Sequence, residues 1–186
     1  MREYFIVYNQ ETGAVLWRGE CNMGEAEGQR NQLPEGMDLM RVPRKALENP
    51  DPAVIDLQAI KDTYAASIDT DADTVRGKFI TNTPGQMATY LVKEQEARSV
   101  IADASAPTPF LDAEASAIGK SVTELANEVI AQAEQWRPIG ARIEALRRAA
   151  KIAVEEAQNL KELRAATFID WPGTSPASPA DGEVSS

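Results

Sequence analysis

The stretch SVTELANEVIAQAEQWRPIGARIEALRRAAKIAVEEAQNL, residues Ser121 to Leu160, decides the fold of this chain. Apolar side chains recur in it at alternating intervals of three and four residues, the heptad spacing of helices that pack along a seam. The seam consists of Val122, Leu125, Val129, Gln132, Trp136, Ile139, Ile143, Leu146, Ala150, Ala153, Ala157 and Leu160, and only Gln132 among them is polar. We therefore predict a long helix whose apolar seam positions form the candidate helix–helix interface.

Local signals act on this helix at two points. Ser121 and Glu124 have the spacing of a capping box, which satisfies backbone N–H groups at a helix start. Pro138 and Gly140 should kink the helix or divide it in two, because proline lacks an N–H group and clashes with the preceding turn.

The apolar seam can be buried in two ways. It packs against other helices of the same chain, in a helical hairpin or bundle, or against other copies of the chain, in a coiled coil. Among homo-oligomers we favour a parallel trimer, in which Gln132 would set the register of the three strands.

A helix–turn–helix, residues 51–104, precedes the seam. Asp51 fits an N-cap and Pro52 the first helical position. The first helix carries an apolar stripe at Val54, Leu57, Ile60, Tyr64, Ile68, Ala72, Val75 and Phe79. Thr83-Pro84-Gly85-Gln86 then matches a second capping box, with Thr83 as N-cap, and the next helix runs to about Asp103. This break is a folding signal in the simpler interpretation and a ligand-binding loop in the alternative one.

Residues 1–48 have the pattern of a small β-meander. Tyr4 to Tyr8 alternate between two faces, Thr12-Gly13 supplies a turn, a second strand covers about Ala14 to Trp17, and Met37 to Val42 form a third. Three strands of this size need another surface to be stable.

The remaining segments complete the predicted architecture. Residues 110–167 contain a short helix from Phe110 to Ile118, ended by Gly119, and the long heptad helix. Residues 168–186 read as an extended tail rich in proline and serine. The fold class is therefore mainly α with a small N-terminal antiparallel β module.

Composition disfavours several classes of function. The net charge of −10 argues against a nucleic-acid binder, since phosphate affinity depends on lysine and arginine. No apolar stretch of about 18 residues occurs, so we expect no membrane insertion. The N-terminus lacks a secretory pattern and Cys21 is the only cysteine, so we expect synthesis in a reducing cytoplasm.

The sequence offers little catalytic chemistry. It contains no histidine, which removes the commonest general base and most zinc sites. Asp69, Asp71 and Asp73 have the spacing that opens a calcium loop, but Thr74 and Ile80 stand where glycine and glutamate are required. We therefore expect no metal, no cofactor and no catalytic residues, and we expect that the protein is not an enzyme.

One run of the sequence resembles a known group of proteins. VRGKFITNTPGQMATYLVKEQEARSVIAD, residues 75–103, resembles a motif of small structural proteins from the tail and tail-fibre region of tailed bacteriophages. The residues that carry this resemblance are Arg76, Phe79, Thr81, Gly85, Gln86, Tyr90, Lys93, Glu96 and Ala97. The segments PFLDAEASAIGKSVTELANEVIAQAEQW, ARIEALRRAAK and YNQETGAVLWRG are similar too, so the resemblance covers most of residues 1–165.

The resemblance implies a structural role and no catalytic residues. It implies a virion component of a tail tip, baseplate or tail-fibre region, made in the host cytoplasm, that acts as an adaptor between other phage tail or fibre proteins. The alternative is a tail or fibre assembly chaperone that is absent from the mature virion.

Overall fold

The computed structural model describes residues 2–81 and 84–174. Its strands are β1 (Arg2–Asn9), β2 (Val15–Asn22) and β3 (Met37–Val42). Its helices are α1 (Ala26–Arg30), α2 (Leu57–Arg76), α3 (Pro84–Ala102), α4 (Pro109–Ile118), α5 (Val122–Glu156) and α6 (Leu160–Ala166), with a 3-10 turn at Arg44–Leu47. The predicted fold class, mainly α with a small N-terminal antiparallel sheet, is confirmed. Among the described residues, no helix combines the length and apolarity needed to cross a membrane.

The chain divides into two compact units. The first comprises Met1–Asp71 and Leu146–Asp170, and the second comprises Ala72–Ala145 and Trp171–Ser186. The sequence suggested four consecutive segments, whereas each unit joins stretches that are distant in the chain. The reason is that the two long helices, α2 and α5, each contribute residues to both units.

The sheet of the first unit has the order β2-β1-β3, with both neighbours antiparallel to β1. The predicted strands exist, but the predicted meander is wrong because β3 pairs with β1 and not with β2. The chain crosses over between β2 and β3, and α1 lies in that connection. Ala26 of α1 packs against Phe5, Val7 and Leu39 on one face of the sheet. The opposite face of β1 is buried as well, at Ile6 and at Tyr8.

Asp38 on β3 is a buried carboxylate that joins several elements. It accepts hydrogen bonds from Tyr8 Oη at 3.1 Å, from Arg30 Nε and Nη2 at 2.6 and 3.0 Å, and from its neighbour Leu39 N at 2.8 Å. Arg164 Nε of α6 lies 3.2 Å away. Burial alone would raise the pKa of Asp38, but the hydrogen bonds from Arg30 and Leu39 hold that pKa below its usual range. The ionised carboxylate therefore ties α1 and α6 to the sheet.

Polar contacts also join α2 to the last turns of α5 within the first unit. The buried Lys61 ammonium donates to the carbonyl oxygen of Glu155 at 2.7 Å, which satisfies one of the free carbonyls at the end of α5. Asp69 accepts from Arg147 and from Lys151, each at 2.6 Å.

The start of α2 differs from the prediction. Asp51 caps only a short turn, since its carboxylate accepts from Ala53 N at 2.9 Å. The helix begins at Leu57, and Asp56 provides the cap by accepting from Ala59 N at 2.9 Å.

The second unit has its core where α3, α4 and α5 meet. Ala97, Leu111, Ala115, Leu125 and Ala126 form this core, and all five are buried. The predicted bounds of α4 are confirmed to within one residue, and Gly119 ends the helix in the left-handed conformation, with φ of 70°.

A buried carboxylate of α3 caps α4. Glu96 Oε2 accepts from Phe110 N and Leu111 N, both at 3.0 Å, while the N-cap residue Thr108 makes no side-chain cap. A glutamate on one helix therefore satisfies the first N–H groups of another, which fixes the angle at which α4 leaves the linker.

The long helix α5 keeps its predicted start. Ser121 Oγ accepts from Glu124 N at 3.2 Å, and Glu124 Oε2 accepts from Ser121 N at 3.0 Å, which confirms this capping box. Pro138 lies inside the helix and does not divide it.

The heptad helix ends earlier than the seam predicted. It stops at Glu156, and Asn159 begins α6 by accepting from Glu162 N at 2.9 Å. Leu160 therefore lies in a separate helix, and Ala157 lies between the two.

Two other expectations fall partly on residues that the structure does not describe. The predicted N-cap Thr83 lies outside the described residues, although α3 has the predicted extent. Of the predicted tail, residues 168–174 are described and form neither helix nor strand, and the remaining tail residues lie outside the described part.

We predict that Asp38→Asn lowers the free energy of unfolding by roughly 3 kcal/mol at pH 7, because it removes the buried charge that faces two arginines. Because the folded pKa is lowered, the stabilisation is complete above the unfolded value of about 3.9 and is lost as pH falls through the folded value. Urea unfolding from pH 7 to pH 3 measures both effects. Asp71→Asn, on the exposed side of α2, is the matched control and should change stability by less than about 0.5 kcal/mol. An equal loss in both variants would contradict the role of Asp38.

We predict that Glu96→Ala destabilises the protein by about 2 kcal/mol, because two N–H groups at the start of α4 lose their acceptor. Glu96→Gln should cost less, since the amide oxygen still accepts one hydrogen bond. Thermal and urea unfolding measure the difference. Glu128→Ala, which removes an exposed ion pair with Lys120, is the control and should cost at most about 1 kcal/mol.

Candidate functional site

An apolar groove of about 440 Å³ lies within the second unit. Its walls are α3 and α5, and the segment after α2 closes one side. The groove is lined by Phe79, Ile80, Thr81, Met87, Tyr90, Leu91, Lys93, Glu94, Val129, Gln132, Ala133, Gln135, Trp136 and Ile139. This volume matches a small-molecule pocket or a few residues of an extended peptide.

Two of the three aromatic rings in the groove rest on glycines. A Cβ atom on Gly140 would lie 2.8 Å from Cζ2 of Trp136, one turn earlier in α5. A Cβ atom on Gly173 would lie 2.9 Å from Cζ of Phe79, and Gly173 also has a φ of +68° that favours glycine. Both glycines therefore leave room for a ring to lie close against the backbone.

The apolar lining is open to solvent in the described part of the chain. The exposed fractions are 67% for Leu91, 42% for Tyr90 and 39% for Phe79, while Trp136 and Val129 are half-buried. Large side chains that cluster in a concave and exposed site are typical of a binding surface for another protein segment.

The charged groups at the rim of the groove are already paired. Lys93 forms an ion pair with Glu114 of α4. Glu94 lies 2.8 Å from Nη2 of Arg98 and 2.7 Å from Nη2 of Arg137. An occupant therefore gains little from charges of its own, and recognition depends on shape and apolar contact.

The structure separates the residues of the predicted helix–helix interface. Val129, Trp136 and Ile139 line the groove. The others are buried within the chain at Leu125, Ile143, Ala150, Ala157 and Leu160, half-buried at Val122 and Leu146, and exposed at Ala153. Only the middle of the seam faces the groove.

Other sequence candidates have structural roles in the described residues. Asp69, Asp71 and Asp73 lie on α2, where Asp73 accepts from Arg76 at 2.6 Å. Among the residues that the structure describes, no three acidic, histidine or cysteine side chains form a group that could hold a metal ion. Desolvation and the nearby Glu3 raise the pKa of the Cys21 thiol, which favours its unreactive protonated form.

The sequence patterns missed the groove itself. Phe79 and Tyr90 each belong to a predicted apolar stripe, and such a stripe indicates a helix face but not an open groove. One signal was available in α3, where Val92 lies off the helical face that contains Tyr90, Leu91 and Ala97. A helix with apolar residues on several sides has more surface than one neighbour covers.

No protein-family model, no curated protein and no solved structure matches this chain. The function therefore has to be inferred from the geometry of the groove and from the motifs of the sequence.

We predict that Gly140→Ala displaces the Trp136 indole, because the new methyl group would lie 2.8 Å from Cζ2. The usual gain of roughly 1 kcal/mol for glycine to alanine in a helix should be lost. Urea unfolding and the indole N–H resonance of Trp136 measure the two effects. Gly28→Ala in α1, where a Cβ would meet nothing within 4 Å, is the control and should show the gain. An unmoved Trp136 resonance together with a full gain would contradict the prediction.

Proposed function

We propose that this chain is a structural protein of a phage tail, located in the tail tip, baseplate or tail-fibre region, and that it acts there as a binding adaptor and not as an enzyme. The observation that carries the proposal is the open aromatic groove between α3 and α5. Four of the nine residues that carry the resemblance to tail proteins line this groove. Phe79, Thr81, Tyr90 and Lys93 line the groove, and Glu96 anchors the helix next to it.

The chemistry of the groove favours one class of partner. The groove contains three aromatic side chains, Phe79, Tyr90 and Trp136, and the charged groups at its rim are paired with one another. Aromatic-lined grooves of this kind bind extended proline-containing segments, because such segments are preordered and offer flat apolar surfaces. We therefore propose that the partner is an extended proline-containing segment of another tail or fibre protein.

Self-association is a separate part of the proposal. A homo-oligomer, with a trimer favoured, stays part of the proposal, but Leu125 and Ile143 of the seam are buried within the chain, so the contact between copies would use another surface. Light scattering over a concentration series measures it, and a monomeric mass at every concentration would exclude this part.

The adaptor role predicts that incorporation of the chain into phage particles depends on the groove. Leu91→Glu places a charge in the groove at a side chain that is 67% exposed, so folding should be unaffected and binding should be lost. We expect at least a tenfold loss of this chain from purified particles of the phage that encodes it, measured by quantitative mass spectrometry.

The matched control is Ile118→Glu, which alters a 52% exposed residue of α4 away from the groove. The control should be incorporated like the unmodified chain. Absence of the unmodified chain from finished particles, with presence in assembly intermediates, would contradict the adaptor and favour the chaperone. Equal incorporation of both variants would show that the groove is not the binding surface.

A further inference from the structure

We propose that the outer edge of β2 is a second interaction surface of this chain, on which β2 of another copy pairs antiparallel about a two-fold axis at Gly19. The contact would join two three-stranded sheets into one continuous sheet. It goes beyond the adaptor role, because all its residues belong to the first unit and none lines the groove.

The two edges of the sheet differ in how they are covered. At the β3 edge, Tyr64 Oη of α2 donates to the carbonyl oxygen of Arg41 at 3.0 Å, and four of the six β3 residues are buried. At the β2 edge, every one of the described residues Val15–Asn22 keeps part of its surface exposed, and Leu16 and Trp17 are each 43% exposed. β2 contains neither proline nor lysine, which protect many edge strands from pairing with another chain.

Backbone geometry restricts the registers in which two copies of β2 can pair. Along a strand, alternate residues direct their N–H and C=O groups toward opposite edges. Two residues that lie opposite each other must therefore both face the partner strand or both face away from it. About a two-fold axis, this condition requires that one residue lies opposite itself. A bulge at Leu16 leaves Trp17 to Asn22 in regular register with β1, so the axis passes through one of these residues.

Charge complementarity selects Gly19 as the residue on the axis. With Gly19 opposite itself, Arg18 of each copy lies opposite Glu20 of the other copy, and two pairs of opposite charge form. An axis through Arg18 would oppose two arginines and an axis through Glu20 two glutamates, and like charges directly opposite are destabilising. An axis through Trp17 or Cys21 would pair a shorter part of the regular strand and would bring no opposite charges together.

Both charged groups are available for this contact. Arg18 Nη1 and Nη2 donate to the carbonyl oxygens of Leu47 and Asn49 at 3.1 and 2.6 Å, and these acceptors carry no formal charge. Glu20 forms an ion pair with Arg2 at the surface, where the two side chains are 44% and 62% exposed. Because a carboxylate has acceptor sites for more than one guanidinium group, Glu20 can accept from Arg18 of the other copy as well.

The symmetry of the contact limits the assemblies that can contain it. Each copy offers the same edge to the other, so the contact is isologous and closes at two copies. Assemblies that use it hold an even number of copies, and a trimer formed through another surface would be joined to a second trimer.

Charge reversal in the full chain tests the contact by light scattering over a concentration series. Arg18→Glu opposes two glutamates and Glu20→Arg opposes two arginines, so each variant alone should need a concentration at least about tenfold higher to associate. The two variants mixed in equal amounts should associate like the unmodified chain, because every opposed pair again has opposite charges. The double variant with both changes should associate too. Arg44→Glu, in the 3-10 turn after β3, is the matched control and should change nothing.

Mixing separates the contact from effects on stability, since Arg18→Glu also removes the hydrogen bonds to Leu47 and Asn49. Circular dichroism measures whether each variant is folded. Should Arg18→Glu fail to fold, Glu20→Arg alone still tests the contact, because it alters none of the hydrogen bonds of Arg18.

Three results would overturn the proposal. The first is a mass at every concentration that is an odd multiple of the monomer mass. The second is unchanged association of Glu20→Arg. The third is failure of the two folded variants to associate when they are mixed. None of these bears on the adaptor role, because Leu91→Glu changes the groove and is measured by incorporation into particles.

Discussion

The contact between small residues at one end of α3 and α5 is the constraint on which the groove depends. Ala97 and Ala126 are fully buried, together with Ala115 of α4, and none has a side chain beyond the β-carbon. Helix axes approach each other as closely as the side chains between them allow. Toward the other end of α3 the facing residues are large, namely Tyr90 and Trp136, so the walls are further apart and a groove remains. The same helix pair therefore provides a close-packed core and an open site.

Charged side chains fix the position of α3 along α5. Arg98 reaches Glu134 at 2.6 Å and Arg137 reaches Glu94 at 2.7 Å, so the two ion pairs cross between antiparallel helices. Exposed ion pairs of this kind add little stability, but they disfavour a shift of one helix along the other. Glu96 acts differently, since it is buried and its two hydrogen bonds hold the start of α4. The helices around the groove are therefore held by the apolar contact at Ala97 and Ala126, by the buried cap that Glu96 provides, and by the two ion pairs at the surface.

The first unit depends on a different kind of constraint. Its central strand β1 is buried on both faces, and α1 and α6 are tied to the sheet through Asp38, so both must hold fixed positions relative to it. Apolar contacts are tolerant of small shifts, whereas the Asp38 cluster is not, because moving Arg30 or Arg164 would leave a buried carboxylate without its partners. The cluster therefore contributes positional specificity as well as stability.

Local signals were predictable from the sequence, and pairing was not. The cap at Ser121 and the stop at Gly119 each depend on a few neighbouring residues, and both occur as predicted. The order of the strands depends on whether β3 pairs with β1 or with β2. The alternation of apolar and polar residues within a strand does not specify this pairing. The groove is harder still to predict from the sequence, since it exists only because two packed apolar stripes leave part of their surface uncovered.

The end of α5 shows how a strong periodic signal conceals a weak one. Heptad spacing continues through Ala157 to Leu160, yet Asn159 and Glu162 form a cap that starts a new helix between seam positions. Both signals are satisfied, because Ala157 and Leu160 are buried although the helix has ended. Periodicity therefore identified which side chains are buried and did not establish that one helix carries them.

This distinction limits how a homo-oligomer could be built. The seam between Val129 and Ile139 is open, but Leu125 and Ile143 on either side of it are buried within the chain. The open part spans about 15 Å at 1.5 Å per residue, whereas a coiled coil needs several uninterrupted heptads. A trimer along the whole seam would have to expose those two core residues again. Any oligomer that keeps the fold of this chain must therefore use a surface other than the continuous seam.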